Sequence, residues 1–258
     1  MHSGCKKNTS DKKQQEFGRL VFQFEHLVDG KPLITDTMTY VNTAGNKYEV
    51  TEIQWFVSDI TLQPRDGKSL LLDSDSFAHY IDTNIPETFT WRIADSIPSG
   101  YYESITMTFG IKGEKNKPYM FTDQPESDML WPINLGGDNG GYHYMKLNGF
   151  WIDTLGARTP FNFHLGVGQE FDENNQIVGF VQNWFEVTLP NSSFEVKKND
   201  QLTITIGMEI NNWFQNPHIY NHNIYGAKIM QNQDAMNMGK ENGAKDVFSI
   251  KSIRSSFD

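Results

Sequence analysis

An all-β fold, a two-sheet β-sandwich with one short helix near the C-terminus, is what this sequence predicts, and three observations predict it. Leu20, Phe22, Phe24, His26 and Val28 occupy alternate positions, and Leu202, Ile204, Ile206, Met208 and Ile210 do the same much later, so each set lies on one face of a strand. Turn signals such as Asp29-Gly30, Asp66-Gly67 and Ser99-Gly100 punctuate the intervals. Aromatic residues make up 13% of the 258, an enrichment that favours strands and fills the space between two sheets.

In chain order, the first strand begins at Arg19 and ends at the Asp29-Gly30 and Lys31-Pro32 turn. A strand through Met38 and Tyr40 ends in the polar turn 42–46, and the extended stretch Tyr48 to Leu62 closes at Asp66-Gly67. Between Ser69 and Asp82, the residues Phe77, His79 and Ile81 share a face. A loop with Pro86 and Pro98 leads to Tyr101–Ile111, where Tyr101, Glu103, Ile105, Met107 and Phe109 alternate against polar neighbours. Residues 129–166 read as loop, strand, loop, strand, with Gly136, Gly137, Gly140 and Gly141 giving the backbone turn conformations closed to other residues. Gln176–Leu189 and Gln201–Ile210 supply two more strands, and Asp246–Ile253 the last. Beyond Asn211 the periodicity changes, and Tyr225–Met238 reads as the helix, stopped at Gly239. No internal repeat interrupts this succession.

The net charge of −10 opposes binding to nucleic-acid phosphates, and the short run Lys6, Lys7, Lys12, Lys13 is the one basic cluster. No run of 18 apolar residues crosses a bilayer as a helix. The single cysteine, Cys5, stands in Ser3-Gly4-Cys5, which looks like the end of a bacterial lipobox, and a polar tract follows it. We therefore expect Cys5 to be the lipid attachment point, residues 1–16 a tether, and residues 17–258 one exported β-sandwich domain without an internal disulfide. The expected location is the periplasm or cell surface, with the lipid anchor as the sole membrane contact.

Enzymatic motifs are absent. No G-x-S-x-G occurs, Cys5 is too terminal to serve as a nucleophile, and the glycine cluster 136–141 lacks the lysine-plus-hydroxyl ending of a phosphate loop. A hydrolase built on paired acids has only their abundance to support it. Asp123, Glu126 and Asp128 lack the alternating ligand pattern of a calcium loop and read as a solvated acidic loop. His218 and His222 have i, i+4 spacing, but Pro217 and three nearby asparagines make a loop the better reading.

His26 and His79 are different, since each stands on an inward-looking strand face where an imidazole without a partner is penalised. Two such imidazoles meeting across the sheets would make a copper or zinc site. His143 shares a face with Met145 by strand parity. His164 sits with Asn162 against Phe161, Phe163 and Leu165, a half-exposed position, and a structural role for His143 is as open as a metal role.

The segments Leu20–His26 with Asp29-Gly30-Lys31-Pro32-Leu33, Ile53–Ile60, His79-Tyr80-Ile81-Asp82, Gly141–Gly149 and Phe161–Gly166 together resemble the MbnP-like family over residues 19–250. These are periplasmic or surface copper-binding β proteins related to MopE and CorA of methane oxidisers. The resemblance implies copper held by two histidines from separate strands, with a nearby tryptophan that a diheme peroxidase-like partner oxidises to kynurenine. His26 and His79 match the histidine positions, as a plain two-histidine site or as one completed by His143, His164, Met129 or Met145. The tryptophan has no counterpart two residues before His26, where Phe24 stands. Asp82 or Glu25 is expected to orient an imidazole.

The reading is thus an exported, lipid-anchored protein that binds copper for storage, acquisition or delivery, without turnover of its own. The alternative is a surface module whose aromatics, Trp131, Tyr142, Tyr144 and Trp151, form an exposed platform for a glycan or a protein.

Overall fold

The computed structural model describes residues 15–72 and 78–256. Cys5, the four-lysine run and Phe77 lie outside the described residues, and with them the lipid attachment and most of the tether. Gln15 and Glu16 are exposed, and the first strand opens at the next residue.

The principal strands are β1 (Phe17–Val28), β2 (Lys47–Pro64), β3 (Ala78–Asp82), β4 (Gly100–Phe109), β5 (Met145–Ile152), β6 (Arg158–Leu165), β7 (Phe185–Thr188), β8 (Gln201–Glu209) and β9 (Phe248–Ser255). Two large sheets share them. The six-stranded sheet runs β9, β8, β1, Lys31–Pro32, with Thr90–Arg92 and Ile97–Pro98 also paired to β1. The nine-stranded sheet runs β6, β5, β2, β4, β7, with β3 and other short strands on β2 and β4. Gly168–Phe171 and Ile177–Val181 form a separate hairpin.

The period of two explains the burial. Leu20, Phe22 and Phe24 of β1 pack with Ile204, Ile206 and Met208 of β8 and with Trp55, Phe109 and Phe248, forming the core between the sheets. β1 and β8 pair in parallel, with Phe22 beside Ile204 and His26 beside Met208. That pairing joins segments from opposite ends of the chain.

A second, smaller core lies on the other face of the nine-stranded sheet. Phe56, next to inward Trp55, points outward and packs with Ala78, Tyr80, Ile111, Met129 and Tyr142. Chain between β4 and β5 thus covers a sheet face that would otherwise meet water. The candidate site lies under this cover.

Among the described residues the α-helices are three short ones, α1 (Ile133–Gly136), α2 (His222–Tyr225) and α3 (Gln233–Asn242), with α3 running on into a π-helical turn over Gly243–Val247 and single 3-10 turns elsewhere. The expected helix Tyr225–Met238 is displaced to α3. Gly226 at φ +73 breaks the chain after α2, and the Asn232 side chain caps α3 by accepting from the Ala235 amide at 3.0 Å. Gly239 does not stop the helix. It sits inside α3, where an added Cβ would come within 2.8 Å of the Phe163 ring, so it permits close packing onto β6. Among the described residues, no helix is long and apolar enough to cross a membrane.

Candidate metal centre

The imidazole pair that the fold brings together is His143 with His164. β5 and β6 pair antiparallel, placing His164 opposite Lys146 and Met145 opposite Leu165. Upstream of Met145 the chain leaves this ladder. The Trp131 amide donates to the Gly141 carbonyl at 2.9 Å, and the His143 amide donates to the Met129 carbonyl at 2.7 Å. Gly141, at φ +57 and pressed against Asn116, makes the return possible. This local pairing turns the His143 ring onto His164, with centroids 5.1 Å apart and planes at 87°.

Hydrogen bonding fixes which nitrogens are free. His143 Nδ1 lies 2.9 Å from the Met129 carbonyl oxygen, and His164 Nε2 lies 2.7 Å from Asn148 Oδ1. Both oxygens only accept, so these two nitrogens carry the protons. The lone pairs are left on His143 Nε2 and His164 Nδ1, both buried and without a partner. An imidazole whose N–H is given to a carbonyl oxygen while its other nitrogen stands free is the arrangement that metal-bound histidines adopt.

Burial lowers the His164 pKa to about 3, with Lys146 adding to the shift. It lowers His143 well below its usual range, helped by His164 and Lys146. Both rings are therefore neutral and can ligate without releasing a proton. Lys146 donates from Nζ to the Asp128 carbonyl at 2.6 Å, and burial lowers its own pKa. Among the described residues no group of three or more His, Cys, Asp or Glu is placed to hold a metal, so this donor set is two imidazoles. Imidazole donors suit copper and zinc better than they suit calcium or magnesium.

Trp131 completes the surroundings, its ring centroid 4.6 Å from that of His143 and its buried Nε1 without a partner. The sequence signal for it was the tryptophan at the entrance to the glycine turn, which spacing from His26 does not reach. His164 is buried rather than half-exposed, because the cover over the second core also shields its face. The parity that put His143 with Met145 fails because the ladder begins only at Met145.

His26 and His79 have other neighbours. His26 Nε2 accepts from Trp55 Nε1–H at 3.0 Å, and an indole nitrogen only donates, so the His26 proton sits on Nδ1, which is buried without an acceptor. The lone pair that a metal would need is already engaged. Burial lowers the His26 pKa to about 3, against a smaller opposing effect of Asp82. The His79 ring stacks on Trp91 at 5.0 Å and on Phe24 at 5.9 Å, with Nε2 giving its proton to the Thr88 carbonyl at 2.7 Å. Asp82 orients neither ring; it accepts from Tyr80 Oη at 2.6 Å, Gln54 Nε2 at 3.1 Å and the Asn84 amide at 2.7 Å. Glu25, half-buried on β1, has no bond to either imidazole among the described residues.

The aromatic platform is absent. Trp131, Tyr142, Tyr144 and Trp151 are all buried, since they fill the cores on the two sides of the nine-stranded sheet. His218 stays in a loop and pairs with Glu241. His222 begins α2, fully buried among Tyr48, Trp151, Phe161, Phe214 and Tyr220, with neither ring nitrogen bonded. The polar asparagines around it concealed that burial in the sequence.

Comparison with known proteins gives two matches. The model of the MbnP family matches residues 17–233, well over half of the chain. The solved structure of MbnP from Methylosinus trichosporium superimposes with a TM-score of 0.52 at 11% identity, covering 93% of this chain and 99% of that one. At that identity the likeness is one of fold. No curated protein matches.

Proposed function

This chain belongs to the MbnP family, and from that premise we propose that it binds copper, with His143 and His164 as the protein ligands. The observation that carries the reading is the pair of buried, unpartnered nitrogens, His143 Nε2 and His164 Nδ1, on rings set edge to face with centroids 5.1 Å apart. Each ring is oriented by a hydrogen bond on its other nitrogen. Trp131, whose ring centroid lies 4.6 Å from that of His143, would supply the oxidisable indole that the family resemblance implies beside a histidine, the role that Phe24 is unable to fill beside His26.

The rest of the proposal follows the sequence reading: an exported protein, anchored through Cys5, that stores, acquires or delivers copper without catalysing a reaction. A diheme peroxidase-like protein would act on the tryptophan.

The test is copper content after dialysis, by elemental analysis, of the parent, a His143→Ala, His164→Ala variant and a His26→Ala, His79→Ala variant, each checked for folding by circular dichroism. About one copper in the parent and in the second variant, with none in the first, supports the assignment. Retention by the first and loss by the second moves the site to His26 and His79. A parent that holds no copper sinks the reading.

A further inference from the structure

The outer face of the nine-stranded sheet carries a hydrogen-bond chain that ends on His164 and can be read in only one direction. β2 and β5 pair with Glu52 opposite Asn148, and β5 and β6 pair with Lys146 opposite His164. Glu52 Oε2 accepts from Asn148 Nδ2 at 3.2 Å, and Glu52 Oε1 accepts from Asn84 Nδ2 at 2.8 Å. Asn148 Oδ1 lies 2.7 Å from His164 Nε2.

The direction follows from what each group can give. A carboxylate has no proton to donate, so the end of the Asn148 amide facing Glu52 must be its NH2. That turns the amide oxygen to His164. An amide oxygen only accepts, so His164 must hold its proton on Nε2, and its lone pair is on Nδ1, the buried and unpartnered atom. Without Glu52 the amide is free to rotate by half a turn. Its NH2 would then face Nε2, the imidazole proton would move to Nδ1, and the free donor atom would disappear.

We infer that Glu52 and Asn148 are positioning residues: they select the His164 tautomer and thereby decide which nitrogen is offered to a metal. The inference rests on the assignment of His143 and His164 as ligands. Loss of such outer partners elsewhere weakens metal binding by about 10- to 100-fold.

The experiment has two readouts on the full domain. Long-range 1H–15N correlation spectra of the metal-free protein report the His164 tautomer, and competition with a chromophoric chelator reports Cu(I) affinity. The parent is expected to show the Nε2–H form alone. Glu52→Leu should give a mixture or the Nδ1–H form, and Asn148→Leu should lose the Nε2–H preference, each with roughly 10- to 100-fold weaker copper binding. Asn148→Asp added to Glu52→Leu, where no second carboxylate faces it and the new one can only accept, should restore both the tautomer and the affinity. The inference is overturned if Glu52→Leu and Asn148→Leu keep the parent's tautomer, or if the tautomer moves and affinity does not follow. A parent that binds no copper overturns the ligand assignment instead, and the spectra alone then decide what fixes the tautomer.

Discussion

Replacing His222 by phenylalanine should change how stability depends on pH more than it changes stability itself. Both ring nitrogens of His222 are buried without hydrogen bonds, enclosed by five aromatic rings, so the substitution removes no bond made by the imidazole. Burial lowers its pKa from 6.5 to about 3. The sign follows directly. Below pH 6.5 the unfolded chain takes up a proton on this residue and the folded protein does not until about pH 3, so stability falls as pH drops through that window. Each pH unit within it costs about 1.4 kcal/mol, so the loss from pH 6.5 to about 4.5 is roughly 3 kcal/mol from this residue alone. Other buried histidines add their own acid sensitivity, and comparing parent with variant isolates the share of His222. Urea unfolding followed by tryptophan fluorescence, at about pH 7.5 and about pH 4.5, measures it. The variant should lie within about 1–3 kcal/mol of the parent at the higher pH, the range for a modest change of core volume. It should then lose roughly 3 kcal/mol less than the parent on acidification. Equal losses in the two proteins would refute the reasoning.

Three further outcomes are expected, each read by the same denaturant titration at neutral pH. Gly149→Ala should destabilise strongly, by about 2 kcal/mol or more, because its Cβ would run into the Glu49 carbonyl oxygen and come within 2.7 Å of the Phe161 ring at a register shift of β5 on β2. Arg158→Met should cost about 2 kcal/mol, since Arg158 pairs with the buried Glu49 carboxylate while stacking on Phe150. Adding Glu49→Gln to it should recover part of that loss. Asn242→Ala should cost about 2–3 kcal/mol, because this fully buried amide donates to the carbonyls of Trp213 and His218, both at 2.8 Å, and accepts from the His218 amide.

The sandwich was legible because alternation is a local property: Leu20 to Val28 and Leu202 to Ile210 declare their buried faces without reference to a partner. Which strands become neighbours is not local, and nothing in either segment announces that β1 lies parallel to β8. The same boundary divides the candidate site. That His26 is buried followed from its place among Phe22, Phe24 and Val28. That its lone pair is engaged depends on Trp55, which reaches it from the opposite sheet. Parity misled at His143, where the pairing of Met129 with His143 replaces the β5 ladder. The helix was displaced because apolar spacing from Tyr225 onward suggested a start that Gly226 forbids, whereas Asn232 held the stronger capping signal.

The parallel pairing of β1 with β8 governs the order in which this chain can mature. β1 leaves the ribosome first, yet one of its edges has no neighbour until Gln201–Glu209 has been made. Closure of the six-stranded sheet therefore waits on the long stretch of chain between β1 and β8, and loop closure over so long a span is slow. Fragments that end before β8 leave the apolar β1 with an open edge, a surface prone to pair with other chains. Truncation from the C-terminal side should thus abolish folding well before it removes any histidine of the candidate centre.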